Sequence, residues 1–242
     1  VLQNKWNTKS YSDPYYNPNF TYLSDNNSFS LNSKNKFKQG ELKNESHSIY
    51  DSVKSYQNLF RDLSLKQGKE ESRFLTVGGK SDSVGQICLD ILNSFGLKKT
   101  HYIVDVGCGY GRLAKALKPH HRGRYLGTEV VPELLNYANS NFGGNGWAFK
   151  LVNRLNVPVP ENSIDMVCFF SIFTHLLHEQ SYLYLKEVYR ILRNHGKVVF
   201  SFLDFKDPIH VPYFDDSVAA MNKDHPLNTF MNEDLIRAWA KL

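Results

Sequence analysis

The stretch His101–Leu117, HYIVDVGCGYGRLAKAL, decides how the rest of the chain is read. Tyr102-Ile103-Val104 is an apolar run of the kind that forms a buried parallel strand. Asp105 follows, then glycines at alternate positions (Gly107, Gly109, Gly111), then Leu113, Ala114, Ala116 and Leu117 in a helical pattern. A strand that turns through glycines into a helix collects unpaired backbone N–H groups and a positive helix end at one spot. That spot suits an anionic or nucleoside-like ligand. Glycine is needed there because a Cβ would obstruct the turn and hold a ligand off the backbone.

Dinucleotide-binding folds share the strand–turn–helix unit, but with GxGxxG spacing and a pyrophosphate on the helix end. Here the spacing is GxGxG, and Asp105 stands two residues before the first glycine. An acid at that place repels a pyrophosphate and attracts an ammonium or a sulfonium. In this form DVGCGYGR resembles the first motif of the class I S-adenosylmethionine (SAM) dependent methyltransferases. The resemblance implies a doubly wound, mostly parallel α/β sheet and SAM as cofactor. It places Asp105 and the turn residues Gly107, Cys108, Gly109 and Gly111 at the cofactor. The competing reading is a glycine turn with no ligand, in which three glycines would weaken the element for no return.

Composition sets the outer bounds. The 242 residues suffice for one α/β domain with a substantial core plus an appendage. Hydrophobic content of 41% and charged content of 22% are those of an ordinary globular protein. The net charge of +5 is spread along the chain, so nucleic-acid binding is permitted but not indicated. Cys88, Cys108 and Cys168 are far apart with no CxxC pair, which fits a reducing, cytoplasmic location. No apolar run approaches the roughly 18 residues a membrane span requires, and no signal peptide is visible.

The first 80 residues read as an arm, and residues 81–242 as the cofactor-binding domain. The arm is polar, with turns at Asp13-Pro14 and Asn17-Pro18, yet carries Trp6, Tyr11, Tyr15, Tyr16, Phe20, Tyr22, Phe29 and Phe37. Such recurrent rings fit an irregular arm lying on a surface, its own domain's or a partner's, or a lid over the acceptor site; a plain tail is the equal alternative. Ile49–Leu65 has the pattern of an amphipathic helix. A further helix is expected from Ser83 to Phe95, with Ile87, Leu89, Ile91 and Leu92 on its apolar side and Gly96 ending it.

Beyond the glycine turn the pattern alternates. Arg124–Glu129 reads as a strand ending in a carboxylate, and Pro132–Ser140 as a helix. Glu129 lies about twenty residues past the glycines, where such folds place an acid on ribose hydroxyls; its other reading is an acid near a helix start. Trp147–Val152 is a third strand, followed by Asn153 and Arg154. The family commonly ends this strand in an acid that accepts from the adenine amino group. Asn153 matches that position and offers an amide oxygen without the charge.

Ile164–Phe170 is a fourth, fully buried strand, followed by Ser171 and the segment Phe173-Thr174-His175. Gln180–Arg193 reads as a helix, Lys197–Phe202 as a fifth strand, Leu203–Asp216 as loop and Asn232–Leu242 as a last helix. The family's closing antiparallel strand pair has no counterpart in this sequence: either the sequence is truncated or the sheet edge is covered by the arm or a protein partner. Strand–helix alternation over 100–203 specifies right-handed crossovers and one ligand-bearing edge at the strands' carboxyl ends. Asp105, Gly107, Glu129, Asn153 and Ser171 all fall on that edge. The resemblance spans about Ser83 to Phe202.

SAM presents an already activated methyl, so the protein has to align an acceptor and exclude water. For a hydroxyl acceptor a base helps, and His175 is the candidate because imidazole titrates at about pH 6.5; its other reading is a helix-start or core histidine. His175 and His178 have no third partner that would make a metal site. Three functions follow: methylation of a small molecule or sugar, methylation of RNA or protein, or an inactive subunit that keeps the fold for assembly. A nicotinamide oxidoreductase is disfavoured by Asp105 and the glycine spacing.

Overall fold

The computed structural model describes residues 20–23, 28–31, 50–79, 82–221 and 228–242. The chain divides into two compact units, Val1–Glu45 and Ser46–Leu242. In the first, β1 (Phe20–Leu23) and β2 (Ser28–Leu31) pair antiparallel, with Phe20 opposite Leu31. A ribbon therefore stands where irregular chain was expected. SFSL alternates hydroxyl and apolar residues with the strand period of two, and FTYL is rich in aromatic and β-branched residues, signals easily lost in polar sequence. Trp6, Tyr11, Tyr15, Tyr16 and Phe37 of the aromatic arm lie outside the described residues.

The second unit holds five parallel strands: β3 (Ile103–Val106), β4 (Tyr125–Glu129), β5 (Trp147–Leu151), β6 (Ile164–Phe169) and β7 (Leu192–Phe200). Their spatial order is β5-β4-β3-β6-β7, so the chain reverses its winding beside β3. Asp105 is in register with Gly127 on one side and Cys168 on the other. Every residue of β3, β4 and β6 is buried, which is why those strands read as continuous apolar runs.

Helices cover both faces. Against one pack α3 (Asp82–Ser94) and α4 (Arg112–Leu117), in a core with Leu92, Ile103, Leu117, Tyr125 and Met166. Against the other packs α6 (His178–Ile191), whose Tyr184, Val188 and Ile191 meet Val104, Leu126, Val167 and Phe169. Each such side chain removed from water stabilises the fold by about 1.5–3 kcal/mol. Helix α5 (Pro132–Phe142) runs between β4 and β5, with Leu134 and Leu135 buried. On α3, Cys88, Leu89 and Leu92 point inward while Ile87 and Ile91 are exposed, unlike the expected apolar side. Gly85 sets that rotation: a Cβ there would overlap the Arg112 carbonyl, so α3 meets α4 backbone to backbone along this line.

Three segments depart from expectation. An unforeseen helix α2 (Lys69–Leu75) follows α1 (Tyr50–Gln67), with Glu70 and Glu71 in its first turn and Arg73 in its last, matching the helix dipole. The expected loop 203–216 contains a 3₁₀ turn, Pro208–His210, and α7 (Val211–Ala220). Pro208 and Pro212 occupy first turns, where no N–H bond is lost, and Asp207 caps by accepting from Ile209 N (3.1 Å). Strand β7 begins at Leu192, five residues before the expected Lys197, because an irregularity opposite Ile164–Met166 absorbs the Asn194-His195-Gly196 turn. Helix α8 (Glu233–Trp239) starts at Asn232, whose Oδ1 accepts Leu235 N (2.8 Å). Among the described residues no antiparallel strand extends the sheet past β7.

Candidate active site

The reversal beside β3 opens the sheet's carboxyl edge, and the glycine turn lies on it. Gly107 N and Cys108 N both donate to the Thr128 carbonyl (2.8 and 2.9 Å), which fastens the turn to the end of β4. Gly107 and Gly111 have φ of +73° and +93°, where a side chain is strained. A Cβ on Gly107 would overlap Ile172, and one on Gly111 would lie 2.8 Å from the Phe142 ring. Ile172 thus borders the turn from the β6 side, and Phe142 from α5.

Glu129 closes the other side. Its Oε1 accepts Val130 N (2.7 Å) and Val131 N (3.0 Å), and its Oε2 accepts Gly109 N (2.9 Å). The acid ending β4 is thereby bound into the turn ending β3. Burial raises its pKa, opposed by those three N–H groups and reinforced by the charge of Asp105. Asp105 itself is buried beneath the turn, where its Oδ2 accepts from the Tyr125 hydroxyl (2.6 Å) and its Oδ1 from the Cys168 thiol (3.5 Å). Burial pushes its pKa up to about 6, against the pull of those two donors and of Arg112.

Residues 104–200 match the methyltransferase domain family. The fold is shared with a chain in complex with the Trm112 methyltransferase activator of Haloferax volcanii (16% identity, TM-score 0.55), covering 77% of this chain and 74% of that one. A chain assigned as a methyltransferase from Bacillus halodurans C-125 (14%, TM-score 0.52) covers 63% and 66%. The YcgJ protein of Bacillus subtilis (18%, TM-score 0.50) covers 64% and 68%. At such identities the structural likenesses establish the fold, and the family match supplies the chemistry. Residues 104–200 are a SAM-dependent methyltransferase domain.

The donors and acceptors on the methyltransferase edge fit SAM. A carboxylate offers about four acceptor positions; three on Glu129 are taken by backbone, leaving about one for a ribose hydroxyl. At Gly107, Gly109 and Gly111 the place of a Cβ is taken or bordered by Ile172, Val77 and Phe142, so the glycines there serve close packing of the turn. Of the other residues singled out in the sequence, Asn153 and Arg154 are exposed just past β5, where Val152 N donates to the Glu129 carbonyl (3.0 Å). Ser171, past β6, is exposed with φ of +59°; its N–H donates to Ser201 Oγ (2.8 Å) and its carbonyl accepts from Thr174 Oγ1 (3.1 Å). Cys108 is buried, and its thiol pKa is driven well up by that burial.

Helix α1 adds residues the sequence reading did not assign to the site. Its Val53 and Phe60 are buried, and Gln57 Nε2 donates to the Val130 carbonyl (2.9 Å) right after Glu129. Between those anchors the Tyr56 ring meets His175 edge-on, with centroids 5.3 Å apart and planes at 73°. Burial first, and then the Glu129 charge, raise the Tyr56 pKa. Tyr110, in the glycine turn, packs edge-on against Phe74 of α2 (5.0 Å). The helical period of α1 was legible in the sequence, but its course over the strand ends was not. That course depends on which core accepts Val53 and Phe60.

Proposed function

We propose that this chain transfers the methyl group of SAM to a hydroxyl or amine of a small acceptor, sugars included, with His175 as the base. The Tyr56–His175 contact carries this reading. It brings helix α1 over the edge that holds Glu129 and the glycine turn, and a covered edge suits a small acceptor and keeps out water. SAM, when bound, supplies an electrophilic methyl on sulfonium. Glu129 accepts a ribose hydroxyl, and the backbone of Gly107, Cys108, Gly109 and Gly111 borders the cofactor. Asn153 accepts from the adenine amino group, and Arg154 and Ser171 flank the cleft. Asp105, buried under the turn, acts on the sulfonium through its charge rather than by contact. His175 would take the acceptor's proton as the acceptor's oxygen or nitrogen displaces the sulfur from the methyl carbon, the S–CH3 electron pair staying with S-adenosylhomocysteine.

Calorimetry with SAM, S-adenosylhomocysteine and NAD tests the cofactor, and labelled methyl transfer to a panel of sugars and small alcohols and amines tests the acceptor. Binding of the adenosyl compounds but not NAD, with label in a small acceptor, is expected. Label confined to RNA or protein would replace the acceptor class. Absence of binding by either adenosyl compound would remove the enzymatic reading altogether.

A further inference from the structure

The end of the sheet opposite the cofactor edge carries a second feature. From Phe95 to Thr128 the chain has seven lysines and arginines against one acid, the buried Asp105. The tertiary fold brings several of these cations together. Arg122 N and Gly123 N both donate to the Lys99 carbonyl (2.7 and 2.9 Å), and His121 Nε2 lies 2.9 Å from the His101 carbonyl. Loops 97–101 and 119–124 therefore form one surface. The Arg124 guanidinium lies over the Tyr102 ring at 4.2 Å, and Lys197 Nζ donates to the Phe95 carbonyl (2.7 Å). Among the described residues, no carboxylate is within ion-pair distance of Lys98, Lys99, Arg122 or Arg124. His101 reports the resulting field: burial, then Arg193, Lys98 and Lys197, depress its pKa.

We propose that this surface, Lys98, Lys99, Arg122 and Arg124 with the half-exposed Phe95 ring at its rim, binds single-stranded nucleic acid. Unneutralised cations track a phosphate backbone and an exposed ring stacks a base, the combination single strands require. A lipid surface fits less well, because it also needs apolar side chains to insert. Phe95 is the exposed ring at these loops; Ile91 and Ile87 recede along α3, the latter about 12 Å away at 1.5 Å per residue. The surface is remote from the methyl-transfer edge, so it anchors a strand whatever the acceptor is.

The test is fluorescence anisotropy of the full chain with a labelled single-stranded RNA of about 20 nucleotides. Micromolar binding is expected at low salt. Four phosphate contacts would give a slope of about −3 in log affinity against log salt. K98E/K99E/R122E/R124E should lose at least tenfold, with S-adenosylhomocysteine binding and thermal melting unchanged. If that variant does not fold, K98Q/K99Q should lose about threefold. F95A should weaken single-stranded but not hairpin RNA. No binding at low salt, equal affinity of the charge variants and the parent, or stronger binding to phosphatidylserine vesicles or poly-glutamate would overturn the proposal.

Discussion

Glu129 Oε2 accepts the amide of Gly109 at 2.9 Å, so the acid that ends one strand is built into the turn that ends its neighbour. The carboxylate is thus structural before any ligand arrives. Glu129→Gln retains one acceptor oxygen for Val130 and Val131 but turns an NH2 toward Gly109 N–H. Leaving such a buried donor unpaired costs about 1–3 kcal/mol. Urea unfolding should show that loss, and calorimetry a SAM affinity at least tenfold weaker; a variant as stable as the parent would mean the bond to Gly109 contributes nothing.

Gly107→Ala combines two penalties, a positive φ and overlap with Ile172. The φ strain alone is of order 1–2 kcal/mol. Pairing it with Ile172→Ala should return the steric part and leave the backbone part. The double variant should therefore be more stable than the sum of the single losses predicts. Additive losses in denaturant melts would place the Ile172 contact elsewhere.

Asp105 predicts an unusual pH dependence. Its carboxyl holds a proton up to about pH 6 in the folded chain, whereas the unfolded value is 3.8. Between those values the folded state binds more protons, so this group's contribution to stability falls as pH rises through the window. A shift of about two units corresponds to up to about 3 kcal/mol. The stability difference between the parent and Asp105→Asn should therefore shrink or reverse from pH 4 to pH 6. A difference independent of pH would show that folding leaves the Asp105 pKa at its unfolded value.

His175→Ala should lower kcat by about 10²-fold or more if the imidazole takes the acceptor proton, with S-adenosylhomocysteine affinity held within twofold. A purely packing histidine would instead lose stability and keep its turnover. The pH–rate profile separates the two, since only a base removes a limb of that profile.

Phe60→Ala should release α1 from the edge. Truncating a buried phenylalanine costs about 3–5 kcal/mol, here concentrated where the helix docks. Hydrogen exchange in residues 53–66 should rise more than in β3 and β4, and Tyr56 should lose its contact with His175. Uniform change across the sheet would mean that α1 and the sheet unfold as one unit.

Much of this site could be read without coordinates because its signals are local. The glycine spacing and Asp105 sit within seven residues, and Glu129 at the end of the next strand, so strand period and turn chemistry place them. What Asp105 touches was not local: Tyr125 and Cys168 come from two other strands, and they turn its carboxyl into the core. The loop expected at 203–216 was misread because proline weakens a helix interior but not its first turn, and position within a helix depends on where the helix starts.

The sequence by itself determined the alternation of strands and helices over 100–203 and the parallel sheet it builds, since each follows from hydrophobic period and backbone chemistry over a few residues. Only the tertiary structure decided that α1 crosses that edge with Tyr56 against His175, that Ile87 and Ile91 face outward, and that two basic loops form one surface. Those outcomes depend on which distant backbone and side chains can pack together, and one-dimensional periodicity carries no record of distance.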